Sequence, residues 1–260
     1  GLADTGLLSR ARGLSQMAYQ LLARAAGPVF FGAFAAKFRS GETATPLYLR
    51  ATTYVASLGW ALLSAMYVLA DPIIVVLFGP NWTAVRAPLR WLCLAAAATL
   101  LTSGANHLLL ATGGAVLSMR AKLTLVPIAI VCCFAGAHFG VEALGFALFL
   151  AAASGSVLMM TAVSRHSGIL IRPQLGPARE AAVMAIGSGA GASLGLLVGS
   201  DNLFTSFLAL LVGTCGAITG CAIALALAKN HPLRAEALGF WKDATRPRLR
   251  SGGRSDEQPE

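Results

Sequence analysis

The sequence predicts an all-α protein, a polytopic transmembrane bundle of about seven helices, each about 20 mostly apolar residues long. Hydrophobic residues make up 56% of the 260 residues and charged residues only 12%, against about 25% charged in ordinary soluble domains. The apolar residues gather into long runs parted by helix breakers, and Lys and Arg gather in alternate gaps between the runs. Water cannot be the main solvent of such a chain, and no length is left for a large soluble domain.

Taken in order, the runs give spans at roughly 11–36, 47–70, 87–111, 121–138, 141–163, 181–199 and 203–228. The gaps hold the stoppers Gly41 and Pro46, Asp71-Pro72, Gly79-Pro80, Gly113-Gly114, Gly140, Pro173 to Pro177, and Gly199 to Asn202. Short connections imply antiparallel neighbours. Residues 1–228 therefore form the bundle, and 229–260, rich in Arg, Pro, Gly and Ser, form a basic tail expected to be disordered.

Orientation follows from the cost of translocating positive charge. Lys37, Arg39 and Arg50 flank one connection, Arg120 and Lys122 another, and Arg165, Arg172 and Arg179 a third, followed by Lys229 and Arg234 in the tail. These read as cytoplasmic, and the connections with Asp71, Glu142 and Asp201 as extracytoplasmic. Gly1 then lies outside and Glu260 inside. An outside amino end with neither a methionine nor a signal peptide leads us to expect a truncated chain, with an odd number of spans upstream.

The first span carries Arg12, Gln16, Gln20 and Arg24 at a spacing of four, along one drifting side of a helix. An arginine at a membrane centre costs about 2.5–3.5 kcal/mol on the insertion scale, so such residues usually face a bundle interior or a watery cavity. Pro28, four residues after Arg24, removes one helical hydrogen bond and predicts a kink. The alternatives are an interfacial amphipathic helix whose Arg and Gln snorkel to headgroups, or an interhelical structural pair. In the third span, Asn106 and His107, with Thr102 and Ser103, could contact a polar solute, although bonding between helices is the commoner use of such residues.

Other motifs read as structure. Gly187, Gly191, Gly195 and Gly199 form a glycine ridge for close helix packing. The local string GSGAGAS lacks the strand and loop context of a phosphate loop. The five cysteines lie inside apolar runs without metal-ligand spacing. No paired carboxylates or nucleophile with a base stand near one membrane face, so the expectation is a non-enzyme without cofactor or metal. The net charge of +9 lies between apolar runs and in the tail, which favours membrane over nucleic acid.

Four stretches carry a resemblance. Gly6 to Ala11 (GLLSRA) and Tyr48 to Ala51 (YLRA) are similar to helix openings, and Leu77 to Trp82 (LFGPNW) with Ala87 to Arg90 to a Phe-Gly-x-x-Trp turn, of the bacterial polysaccharide and O-antigen flippases. These are the Wzx-like branch of the multidrug/oligosaccharidyl-lipid/polysaccharide exporter superfamily. Leu108 to Leu117 (LLLATGGAVL) resembles the close of the following helix. The departures are Leu8 where tyrosine is usual, Ala18 in place of a frequent proline, and Gly32 where a Phe-Pro pair is common. The resemblance implies a carboxy-terminal lobe in the bacterial inner membrane, partnered by a missing amino-terminal lobe and surrounding lipid. It implies transport of a polyprenyl-diphosphate-linked oligosaccharide, with Arg12, Gln16, Gln20, Arg24, Asn106 and His107 as candidate binding residues. A cation-coupled drug exporter and a membrane glycosyltransferase or polymerase are the rival readings. An isolated inactive half is a third.

Overall fold

The computed structural model describes residues 2–199 and 202–228, except for the side chains of 2–5, 24–26 and 28. The tail from 229 to 260 and the side chain of Arg24 lie outside the described residues. No strand occurs among the described residues; the chain is a succession of helices.

The first helix, α1 (Leu2–Arg39), is 38 residues long, about 57 Å at 1.5 Å per residue. It starts before the expected span and continues through Pro28 without a break. α2 (Thr45–Val68) begins with proline in its first turn, where the missing N–H would have had no partner. α3 (Ala70–Phe78) continues almost directly after it. Pro72 cannot donate to the Val68 carbonyl, which accounts for the junction at Leu69, where φ is −88° and ψ 19°. A 3-10 turn (Pro80–Val85) leads into α4 (Arg86–Leu100), and after four turn residues α5 (Ala105–Ala111) completes that crossing. There follow α6 (Ala115–His138), α7 (Val141–Ser167), the short α8 (Ile171–Gln174), α9 (Gly176–Ala192), a 3-10 segment (Ser193–Val198) and α10 (Leu203–Leu227). Asn202 opens α10 with a capping box, its backbone N–H donating to Thr205 Oγ1 at 3.0 Å.

Six stretches of the described chain are long and apolar enough to cross a membrane: 45–68, 80–111, 115–138, 141–167, 171–198 and 203–227. The expected first span falls on α1, where the side chains of residues 24–26 and 28 lie outside the described residues. The span expected at 181–199 begins earlier, because Pro173 to Pro177 fold into α8 and the first turn of α9 instead of a loop.

Crossings consecutive in the chain run antiparallel, as do α2 and α4, α6 and α7, and α9 and α10, whereas α1 and α7 run parallel to α4, and α9 parallel to α2. α4 contacts α1, α2 and α7; α6 lies against α7; α9 lies against α2; and α10 lies against α9. One core cluster joins Ala11 and Ala18 of α1 to Val55 and Leu63 of α2 and Leu89, Leu92 and Leu100 of α4. A second, at the opposite end, holds Phe34, Tyr48, Leu108, Leu109 and Val163. Large apolar residues on α6 and α10, such as Leu123, Ile130, Phe134, Phe204, Phe207 and Ile218, are exposed. Such a girdle is unfavourable in water and ordinary against lipid.

The glycine ridge packs helix on helix, as its spacing predicts. A methyl on Gly191 would overlap the Gly216 carbonyl, and one on Gly216 the Gly191 carbonyl, so the backbones of α9 and α10 touch. Gly187 and Gly195 meet Gly220 and Gly213 in the same way. Gly199 lies beyond α9 and ends the 3-10 segment with φ +81°. The α9 face beside the ridge is held to α2 by Ser188 Oγ, which donates to the Ala61 carbonyl at 2.7 Å.

Candidate functional site

Arg12, Ser15, Gln16 and Tyr19 occupy positions i, i+3, i+4 and i+7 of α1 and so share one face. Opposite them stand Leu92, Ala95, Ala96 and Thr99 of α4, in the same spacing, and Leu148 and Ala152 of α7. Long polar side chains on one wall and alanines on the others leave a cavity of about 230 Å³.

Its donors are unevenly engaged. Ser15 Oγ donates to the Arg12 carbonyl at 3.1 Å and Thr99 Oγ1 to the Ala95 carbonyl at 2.9 Å, so both hydroxyl protons are held by their own helices. Arg12 is exposed, and no described carboxylate pairs with it. Other cations do have partners: Arg10 lies 5.7 Å from the Phe78 ring centroid, Lys37 pairs with Glu42, and Arg86 pairs with Asp71. A guanidinium carries five donors in a fixed fork that matches phosphate oxygens, and the Gln16 amide adds two more. The groove therefore suits a ligand rich in acceptor oxygens.

The remaining predicted residues sit elsewhere. Gln20 is half-buried on α1 but is not among the residues lining this cavity. Asn106 is helix glue: its Oδ1 accepts from Ser118 Oγ at 2.7 Å and Lys122 Nζ at 2.9 Å, joining α5 to α6. His107 packs on α1 at Gly27, where an added Cβ would lie 3.2 Å from His107 Nε2. Neither Asn106 nor His107 is brought to the Arg12 cavity.

The sequence reading missed Ser15 and Tyr19, although both follow from extending the Arg12 stripe by three and seven residues. It also missed Thr99, which only the apposition of α1 and α4 brings in. A further feature is the interruption of the third crossing after Thr99. The Thr102 N–H bonds to the Thr99 carbonyl at 3.1 Å and the Ser103 N–H to the Leu100 carbonyl at 3.2 Å, one residue tighter than in an α-helix. The Ala98 carbonyl thereby loses its helical partner and accepts from Ser156 Oγ of α7 at 2.8 Å. Trp60 Nε1 of α2 donates to the Ala97 carbonyl, also at 2.8 Å. Around the break, Ser103 Oγ and Thr52 Oγ1 are buried without a hydrogen-bond partner among the described residues.

With the groove in place, its leading wall can be compared with known proteins. Residues 1–87 match the family described as "Polysaccharide biosynthesis protein". The match covers one third of the chain, and the matched stretch contains α1 with Arg12, Ser15, Gln16 and Tyr19, α2 and α3. Comparison with curated proteins and with solved structures returns no match. The segment similar to that family thus supplies one wall of the groove, while α4 and α7, which form the others, lie essentially outside it.

Proposed function

We propose that this chain is one lobe of a bacterial inner-membrane flippase that translocates a polyprenyl-diphosphate-linked oligosaccharide for polysaccharide biosynthesis. The observation that carries the reading is the placing of Arg12 and Gln16, without a described carboxylate partner, in a groove of an otherwise apolar bundle. A charged side chain held among spanning helices is costly unless it meets water or an anion. The diphosphate would bond to Arg12 in the bidentate manner of guanidinium and phosphate, with Gln16 and Tyr19 meeting further oxygens. The second lobe is expected to face α1, and rocking of one lobe against the other would alternate access. The interrupted crossing at 101–104 beside Thr99 supports this reading, since broken helices commonly line transport sites.

The amino end would lie outside and the carboxy tail in the cytoplasm, because Lys37, Arg50, Arg120, Lys122, Arg165 and Arg172 gather at one end of the bundle. A cation-coupled exporter calls for a carboxylate within the membrane. Of the described acidic side chains, Glu42, Asp71 and Glu142 lie in a connection or within two residues of a helix start, and only Glu180, in the first half of the stretch 171–198, lies inside a crossing.

The test is Arg12→Ala in the native cell, with the protein at normal membrane level. Losing a charge-assisted bond to phosphate should lower polymer export roughly tenfold or more. Unchanged export would end the binding role of Arg12. Translocation of lipid-linked sugar by this chain alone in proteoliposomes then separates an active lobe from one that needs its partner.

A further inference from the structure

α4 and α7 each have two lined faces. Residues 92, 95, 96 and 99 of α4 and 148 and 152 of α7 border the Arg12 groove. Residues 93, 94, 97, 98 and 101 of α4 and 149 and 153 of α7 border a second cavity, of about 510 Å³, closed on its other sides by α2 and α9. The two cavities are therefore separated by the thickness of the α4–α7 pair. The second is walled by Trp60, Leu63, Leu94, Leu101 and Phe149 and contains few polar atoms. Tyr67 and Leu94, both on its lining, are exposed, so it opens sideways from the bundle toward the bilayer.

The mouth of this cavity is charged. Arg90 lies on the same α4 stripe as Leu94, Ala97 and Leu101, one turn beyond the lining. Its guanidinium stacks 5.5 Å from the ring centroid of Tyr67, and its Nη2 is 3.7 Å from Asp71 Oδ2. Its Nε is buried with no hydrogen-bond partner among the described residues. Arg86 pairs with the same carboxylate. Two guanidinium groups thus share one Asp, leaving positive charge unbalanced beside an apolar slot. Glu142, at the start of α7, is the other described acid at this end, is exposed, and pairs with neither arginine.

We infer that the cavity between α2, α4, α7 and α9 holds an acyl chain of an anionic glycerophospholipid of the bilayer, whose phosphate sits at Arg90 and Arg86. The apolar walls and lateral opening select a hydrocarbon chain, and the excess cation at the end of the slot selects an anionic head. The α4–α7 wall favours a bilayer lipid over the transported molecule, since a head in the Arg12 groove would have to send its tail around two helices. This inference stands apart from the flippase reading, which rests on the other face of the same helices.

Trp60 reports on the site, because it lies in the wall. With Trp82, Trp91 and Trp241 replaced by Phe, the full chain in nanodiscs should have its Trp60 fluorescence quenched by phosphatidylglycerol brominated on its acyl chain. The effect should be roughly threefold stronger at equal mole fraction than with brominated phosphatidylcholine, the scale of a partly exposed ion pair. Arg90→Gln should abolish the preference while leaving quenching, and Ala153→Leu, which fills the slot, should reduce quenching by both. Native mass spectrometry of the unaltered chain should show one retained phosphatidylglycerol that Arg90→Gln loses, which covers the case in which the single-tryptophan protein fails to fold. Equal quenching by the two lipids, quenching only by a brominated polyprenyl phosphate, or no quenching by either would each overturn the inference. None of those results bears on export by Arg12 variants.

Discussion

Ser156 on α7 donates its hydroxyl proton to the carbonyl of Ala98 on α4 at 2.8 Å, across the point where the third crossing leaves α-helical register. In hydrocarbon there is no water to satisfy a freed carbonyl, so a side chain from a neighbouring helix must do it. This bond and the parallel one from Trp60 to Ala97 let the helix break beside the Arg12 groove without an unsatisfied acceptor at either position.

Ser156→Ala should therefore destabilise the bundle by about 1 kcal/mol, the scale of hydrogen bonds between membrane helices. Unfolding in mixed micelles measures this. A variant as stable as the parent would show that the Ala98 carbonyl finds another donor.

Gly191 and Gly216 meet backbone to backbone, and no side chain fits between them. Gly191→Leu should force α9 from α10 at a cost of about 1–3 kcal/mol, the usual range for overpacking. Unfolding in mixed micelles should show this loss against the parent. Equal stability of the two would show that the helices can separate without cost.

Antiparallel order places the connection at 40–44 and the turn at 80–85 at opposite ends. In a chain with its five cysteines replaced, a cysteine at Ser40 should react with an impermeant thiol reagent only from the cytoplasmic side. One at Asn81 should react only from the outside. The reverse pattern would invert the proposed orientation.

Glu42, in the connection after α1, is fully exposed, and its carboxyl is held below the usual carboxylate range by the hydrogen bond from Lys37, then by the Lys37 charge. A lowered folded pKa gives stabilisation that is present above the unfolded Glu value and lost as pH falls through the folded one. The nuclear magnetic resonance titration of Glu42 should therefore have its midpoint below that of a free Glu, and Lys37→Met should return it upward. Because solvent screens the pair, thermal stability at neutral pH should not change with Lys37→Met. An unmoved midpoint would show that the pair does not persist in solution.

Much of the architecture is written in composition and spacing. Long apolar runs can be stable only as lipid-facing helices, and Gly and Pro interrupt them at the connections, so the all-α membrane bundle and most helix limits follow from the residues alone. The glycine ridge was legible too, because a spacing of four defines a helix face wherever the helix packs. What a face meets is a different matter. Arg12 and Gln16 stand on a stripe that also suits headgroups, and only the approach of α4 and α7, whose small alanines leave space there, turns the stripe into a groove with Thr99 at its far wall. Asn106 and His107 resemble ligand contacts as residue types, yet Ser118, Lys122 and Gly27 engage them from elements distant in the chain. Local pattern depends on bonds and periodicity within a few turns, whereas a cavity is the gap left when helices far apart in sequence are brought side by side.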